Sequence, residues 1–312
     1  MVLFLQPVFQ ERIWGGRALQ QQFNYDIPSH TTGECWAISA HPNGPNIIEN
    51  GPHKGKTLTQ VWDEDRALFG EDQRSQFPLL TKILDANDKL SVQVHPDDAY
   101  ALAHEGEYGK TECWYIISAK EGAEIIYGVH ADNQIELAQK IDARDFDTLF
   151  KHVPVKAGDF FYVPAGTVHA IGAGITILET QQSSDTTYRI YDYDRKDKNG
   201  QLRALHLEQS KAVIDLETKN PNTVPIHSIK HGQSMTQFVS NAFFTVDKWE
   251  IDGTLPYEKP HVYCLVSVID GQGIVAIDGE QWPINKGSHF IITADDYDVE
   301  FDGQLTLIVS HP

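Results

Sequence analysis

Gln93 and His95 sit two residues apart in LSVQVHP, the run from Leu90 to Pro96, where Val92 and Val94 mark a strand. Side chains alternate along a strand, so the glutamine and histidine share one face and the valines take the other. An amide and an imidazole turned inward together form either a chelating arm or a hydrogen-bonded pair in a polar core. Glu112, on the next strand-like run, returns close enough in sequence to stand beside them. Its carboxylate would complete a set of three ligands. A glutamine carbonyl in that set would leave a metal more electrophilic than a thiolate would. On spacing alone, both readings stand.

A second stretch bears on the choice. GDFFYVPAGTVHAIG (Gly158–Gly172) spaces a glycine, five residues, Pro164, one residue, Gly166, two residues and His169. This resembles the second motif of the cupin superfamily, in which a strand ends at a Pro/Gly turn. The following strand then delivers a metal-binding histidine into the mouth of a jelly-roll barrel. VQVHP, GKTE, VPAGTVHAIG, the run ETQQSSDTTYRIYDYDR, GECWAISAHPNGPN and the early WGG are together similar to type I mannose-6-phosphate isomerases in their compact bacterial form. The resemblance covers about residues 1–215 by motif and the remainder by layout.

That resemblance implies one zinc ion per chain, held by Gln93, His95, Glu112 and His169. It implies interconversion of mannose 6-phosphate and fructose 6-phosphate through an enediol. Arg189, Lys110 and Glu179 match catalytic positions, with Glu179 the first choice of base and Lys110 the second. Lys82, Lys110, Arg189 and Asp185 match substrate-binding positions. Each has an ordinary alternative: solvated lysines, a strand-end charge at Glu179, or an ion pair from Arg189 to Asp192 or Asp194. A dication and another cation near Lys110 would depress its pKa, with Glu112 opposing. The rival functions are a different cupin enzyme of the oxygenase type and a non-enzymatic sugar-phosphate-binding cupin. Oxygen uptake and metal content separate them.

The elements that must position these residues are mainly β with helical insertions. Strands are expected at Trp36–Ser39, Leu90–Val94, Cys113–Ile117, Glu124–Tyr127, Phe160–Val163 and Ile175–Glu179, each rich in β-branched or aromatic residues. Helices are expected over Thr57–Phe69 behind a Thr cap, Pro96–His104, Asn133–Phe150 and Ala204–Leu216. After NPNTVP (Asn220–Pro225) the pattern is strand and turn only, with turns at Asp270–Gly273 and Asp278–Gly279. The expected architecture is two cupin-type jelly-roll barrels in tandem. Residues 1–220 carry the metal and the helices, and residues 221–312 form a β domain without a metal site, where His261 and His289 are structural.

The chain has 312 residues and a formal net charge of −19. Such a field repels nucleic acid and anionic lipid. An anionic substrate therefore needs a local pocket of Lys and Arg, and the hexose 6-phosphate is the one expected partner; no obligate protein partner is evident. The first residues lack a basic n-region, and no apolar run approaches the ~18 residues of a membrane span. Three scattered cysteines fit a reducing cytoplasm, with Cys113 a small hydrophobe facing away from Glu112.

Overall fold

The computed structural model describes residues 1–197, 199–216, 223–257, 262–294 and 298–312. Two antiparallel sheets hold the sequence motifs. One has six strands in the order Phe160–Val163, Glu112–Ala119, Ile175–Gln182, Leu79–Ala86, Thr32–Ile38 and Val8–Gly16. The other has five: Tyr188–Tyr191, Val92–Val94, His169–Ile171, Glu124–Val129 and Phe150–Pro154. They pack face to face. Trp114, Ile116, Ile177 and Leu84 of the first share a buried cluster with Ile125, Tyr127 and Ile171 of the second. This is the expected jelly-roll layout.

A third sheet of nine strands carries the C-terminal part, and it admits the start of the chain. Val2–Gln6 pairs with His289–Ile292, with Leu3 opposite Ile291. The first strand therefore lies in the sheet formed by strands between Ile226 and His311. The expected boundary near 220 and His261 lie outside the described residues. His289 is buried between Ser267 and Tyr25, its Nδ1 2.9 Å from Ser267 Oγ and its Nε2 2.7 Å from Tyr25 Oη. Burial pushes its pKa down to about 3. Trp62, Phe69 and Phe77 from the first part meet Tyr263 from the last, with ring centroids 5.3–6.2 Å from it. Such aromatic pairs contribute ~0.5–1.5 kcal/mol each beyond the area they bury.

The helices follow their local signals. Thr57 caps Leu58–Glu64 through a reciprocal pair in which Thr57 Oγ1 accepts from Gln60 N and Gln60 Oε1 accepts from Thr57 N. Asp97 caps Asp98–His104 and Asn133 caps Gln134–Asp142. Asn133–Phe150 holds two helices, the second being Phe146–Leu149. The short helix Ala18–Phe23 has no side-chain cap, and nothing in the residue pattern marked it. Asp270–Gly273 is not a turn. One strand, Cys264–Ile277, runs through it and is irregular between Val268 and Asp270. Gly271 has φ +86° there, and a Cβ on it would meet the Gln304 carbonyl oxygen at 1.9 Å. Its glycines serve a close strand approach, which is also a glycine use in sheets. Asp278–Gly279 is a turn, as expected. Among the described residues no helix is long and apolar enough to cross a membrane.

Candidate active site

Strand register draws the functional residues into two rows. On the five-stranded sheet Gln93 stands opposite His169 on one side and Arg189 on the other. On the six-stranded sheet Glu179 stands opposite Lys82 on one side and Trp114 on the other, and Gln181 opposite Glu112. The rows border a cavity of about 430 Å³ lined by Lys82, Gln93, Lys110, His169, Glu179, Asp185 and Arg189, among others. So the cavity gathers seven of the nine expected site residues, and His95 and Glu112 lie buried beside it.

The turn before His169 is held tightly. Gly166 takes φ +84° and donates its N–H to His95 O at 2.8 Å, tying the motif turn to the QVH strand. A Cβ on Gly166 would stand 2.9 Å from Asp215 Cβ. His169 then enters the cavity with Nδ1 donating to Thr167 O at 2.9 Å, and His95 donates from Nδ1 to Thr186 O at 2.8 Å. Each carbonyl fixes a tautomer and leaves an Nε2 lone pair facing inward.

Both rings are neutral. Burial, with Lys110 and His169 nearby, pushes His95 well below the usual histidine range; burial and Lys110 push His169 down to about 4, against the Thr167 carbonyl. A neutral imidazole is the metal-binding form. His95 Nε2 is buried without a hydrogen-bond partner. It lies 3.6 Å from Glu112 Oε2, and His169 Nε2 lies 3.3 Å from Glu112 Oε1. Donors about 2.1 Å from a tetrahedral zinc stand about 3.4 Å apart, close to both of these separations, and the ligand atoms of the three residues all lie within 4.8 Å of one another. Gln93 Nε2 lies 3.3 Å from His169 Nε2. Turning the amide end for end puts its carbonyl oxygen at that position. The four residues fit a metal ion.

The charges beyond the ligands are arranged in pairs. Lys110 Nζ is 2.9 Å from Glu112 Oε2 and 4.0 Å from Glu179 Oε1; Lys82 Nζ is 3.8 Å from the same Glu179 oxygen. The strand starts at Glu112, so Lys110 reaches the cavity from just before it. Burial works against the Lys110 ammonium, but Glu112 and Glu179 outweigh it and hold the pKa above the usual lysine range. The expected depression of this pKa is thus reversed in the protein alone, because two carboxylates face the ammonium. The Glu179 pKa rises as well, which here favours the neutral form. Burial and then Glu112 raise its pKa, against Lys110 and Lys82. Its Oε2 accepts from Trp114 Nε1 at 3.1 Å. Cys113 points into an apolar cluster on the far side, as expected.

Arg189 forms an ion pair with neither Asp192 nor Asp194. Asp192 is held by Arg195 and Arg203, each at 2.5 Å, and Asp194 by Arg144. Arg189 donates instead from Nε to Ser91 Oγ (3.3 Å) and from Nη1 to Ala204 O (2.9 Å). Among the described residues no carboxylate lies within ion-pair distance of it. Asp185 Oδ2 accepts from Asn43 Nδ2 at 3.0 Å, at the edge of the cavity.

Among the cavity residues that escaped the sequence reading are Arg12, Glu34, Ser91, Thr187 and Arg203. Glu34 had a signal. The tripeptide ECW occurs at Glu34–Trp36 and again at Glu112–Trp114, and in both the indole N–H donates to the carboxylate two residues before it, at 2.6 and 3.0 Å. Burial opposes the Glu34 charge, but Lys82, Arg12 and Trp36 together lower its pKa.

Comparison with known proteins follows the same lines. Residues 2–117 match the family model for the phosphomannose isomerase type I catalytic domain, and residues 234–312 match the mannose-6-phosphate isomerase cupin domain. The chain is 57% identical to mannose-6-phosphate isomerase of Streptococcus mutans serotype c, over 99% of this chain and 98% of that one. It is 50% identical to a mannose-6-phosphate isomerase of Bacillus subtilis, again over 99% and 98%. The crystal structure of a mannose 6-phosphate isomerase from B. subtilis superposes with a TM-score of 0.97 at 47% identity, covering 100% of this chain and 99% of that one.

Proposed function

The chain belongs to the type I phosphomannose isomerase family, and we propose that it interconverts mannose 6-phosphate and fructose 6-phosphate with one zinc ion held by Gln93, His95, Glu112 and His169. The observation that carries this reading is the buried, partnerless His95 Nε2, facing Glu112 and His169 beside a cavity furnished with Lys82, Lys110, Glu179 and Arg189. When bound, the zinc supplies a positive centre that polarises the sugar oxygens at C1 and C2.

The aldose loses a proton from C2 and gains one at C1, while the hydroxyl proton leaves O2 and O1 becomes a hydroxyl. Glu179 is the base we favour. Its Oε2 is occupied by Trp114, while Oε1 stands 3.8 Å or more from either lysine and is open to a substrate proton. Its raised pKa makes it a better base than an exposed carboxylate. Lys110 is placed as a substrate anchor, and Lys82 as a donor that holds developing negative charge on the enediol oxygens. Arg189 has Nε and Nη1 fixed by Ser91 and Ala204, which pre-sets its guanidinium for a phosphate without drawing on a carboxylate. Asp185 borders the cavity as a hydroxyl acceptor. Grip on the remote phosphate steadies the reacting carbons over Glu179.

The division of labour between residues 1–220, which hold chemistry, and 221–312, which brace them, is part of the same proposal. The test is a coupled assay in which fructose 6-phosphate is converted onward and read by absorbance. Purified protein given mannose 6-phosphate should produce signal. Zinc-replete protein that forms no fructose 6-phosphate would overturn the reading.

A further inference from the structure

Glu107 stands outside the cavity lining, on the turn between the helix Asp98–His104 and the strand Glu112–Ala119. Its carboxylate gathers four donors from two distant segments. Oε2 accepts from Ser184 Oγ (3.2 Å), Asp185 N (3.3 Å) and Thr186 Oγ1 (2.9 Å). Oε1 accepts from His41 Nε2 at 3.2 Å. The direction of that last bond is set by the other side of the ring, where His41 Nδ1 accepts from Asn43 N at 3.2 Å.

The turn bearing Glu107 is itself fixed. Asp98 Oδ1 accepts from Gly109 N at 2.8 Å and from Gln182 Nε2 at 3.0 Å, and Gln182 Oε1 accepts from Thr111 N at 2.9 Å. Gly109 lies so close to the neighbouring backbone that a Cβ would meet the Asp97 carbonyl carbon at 2.4 Å. A carboxylate on a fixed turn therefore holds a loop, Ser184–Thr186, that has no regular secondary structure of its own.

That loop carries the carbonyl on which His95 depends. Thr186 O accepts from His95 Nδ1 and so decides where the Nε2 lone pair points. The geometry points to Glu107 as a positioning residue: by clamping Ser184, Asp185 and Thr186 it keeps the Thr186 carbonyl in place and His95 Nε2 aimed at the zinc position. Partners that orient a ligating histidine typically change metal affinity by about 10–100-fold when removed. Because the same loop supplies Asp185 and Thr187 to the cavity wall, the clamp also shapes the mouth through which substrate enters. This inference rests on the zinc reading above.

The test uses full-length wild-type protein, Glu107→Ala, Glu107→Gln and Thr186→Val. Metal is stripped and zinc affinity is measured by competition with a chromophoric chelator; cobalt(II) absorption reports ligand geometry independently of turnover. Glu107→Ala should bind zinc at least about tenfold more weakly. Glu107→Gln, which keeps one acceptor oxygen, should fall between it and wild type. Thr186→Val removes one of the four donors and should weaken zinc binding by less than Glu107→Ala. The cobalt spectrum should change in both Glu107 variants, and excess zinc should restore turnover of Glu107→Gln. If Glu107→Ala does not fold, Glu107→Gln and Thr186→Val decide. A lower melting temperature with wild-type zinc affinity and an unchanged cobalt spectrum in those two overturns the clamp and leaves the metal site standing. Wild-type protein that binds no zinc overturns both.

Discussion

Replacing Arg189 with Ala separates substrate grip from fold. The side chain has no carboxylate partner among the described residues, so its loss orphans no buried charge. What remains is two hydrogen bonds, to Ser91 Oγ and Ala204 O, on a half-buried side chain where water takes the vacated place. Bonds to a charged group contribute about 1.5–3 kcal/mol when buried, but at a half-buried guanidinium the hydration of both acceptors and the lost side-chain ordering return most of it. The melting temperature should fall by no more than about 2–4 °C, the shift for ~1 kcal/mol in a domain of 150–250 residues. The catalytic loss is larger. Hydrogen bonds to a charged group are worth about 1.5–3 kcal/mol, and a guanidinium on phosphate makes up to two. At 1.36 kcal/mol per decade, one lost contact of ~2.7 kcal/mol is about a hundredfold in kcat/KM. Steady-state kinetics on mannose 6-phosphate, set beside thermal unfolding of the same samples, reads both numbers. A large melting shift with wild-type kcat/KM would show that Arg189 serves the fold and that its place in the cavity is incidental.

Two other changes test neighbouring parts of the site. Lys110→Met removes an ammonium that faces Glu112 and Glu179; as a substrate anchor its loss should raise KM about tenfold or more while solvent-proton exchange at C1 persists, whereas a fall in kcat and exchange together would make it the proton carrier. Glu34 has its folded pKa lowered below the unfolded value of ~4.3, so its ionised form stabilises the fold above that pH and the contribution is lost as pH falls through the folded pKa. Glu34→Gln should therefore be less stable than wild type at pH 7, by about 1–3 kcal/mol in denaturant titrations, with the gap closing below pH 4; a gap independent of pH would refute the charge argument.

Three of the four proposed metal ligands were legible because two short-range rules reach them. Alternation puts Gln93 and His95 on one face, and the Pro/Gly turn with its fixed offset marks His169. Arg189 was found but its surroundings were not. Ser91 lies 98 residues away and Ala204 fifteen, and only the tertiary fold brings them together. Glu107 is hidden too, because its partners Ser184 and Thr186 are 77 and 79 residues on and reach it from a loop. For Lys110 a sequence shows one carboxylate nearby, Glu112, while the fold adds Glu179 from another strand, and without a dication the two together raise its pKa. The same limit explains Asp270–Gly273: a glycine pair at a close strand approach has the composition of a turn. The first strand's pairing with His289–Ile292 spans nearly the whole chain, and no local pattern announces it.

The central claim is that one zinc ion on Gln93, His95, Glu112 and His169 makes this cavity an isomerase site. The most direct measurement is a zinc titration of metal-stripped protein, with fructose 6-phosphate formation followed at each point, run in parallel on His169→Ala. Wild-type activity should rise from near zero and level off at one equivalent of zinc, and His169→Ala should neither retain zinc nor turn over. Full activity in metal-stripped protein, or in metal-free His169→Ala, would contradict the account.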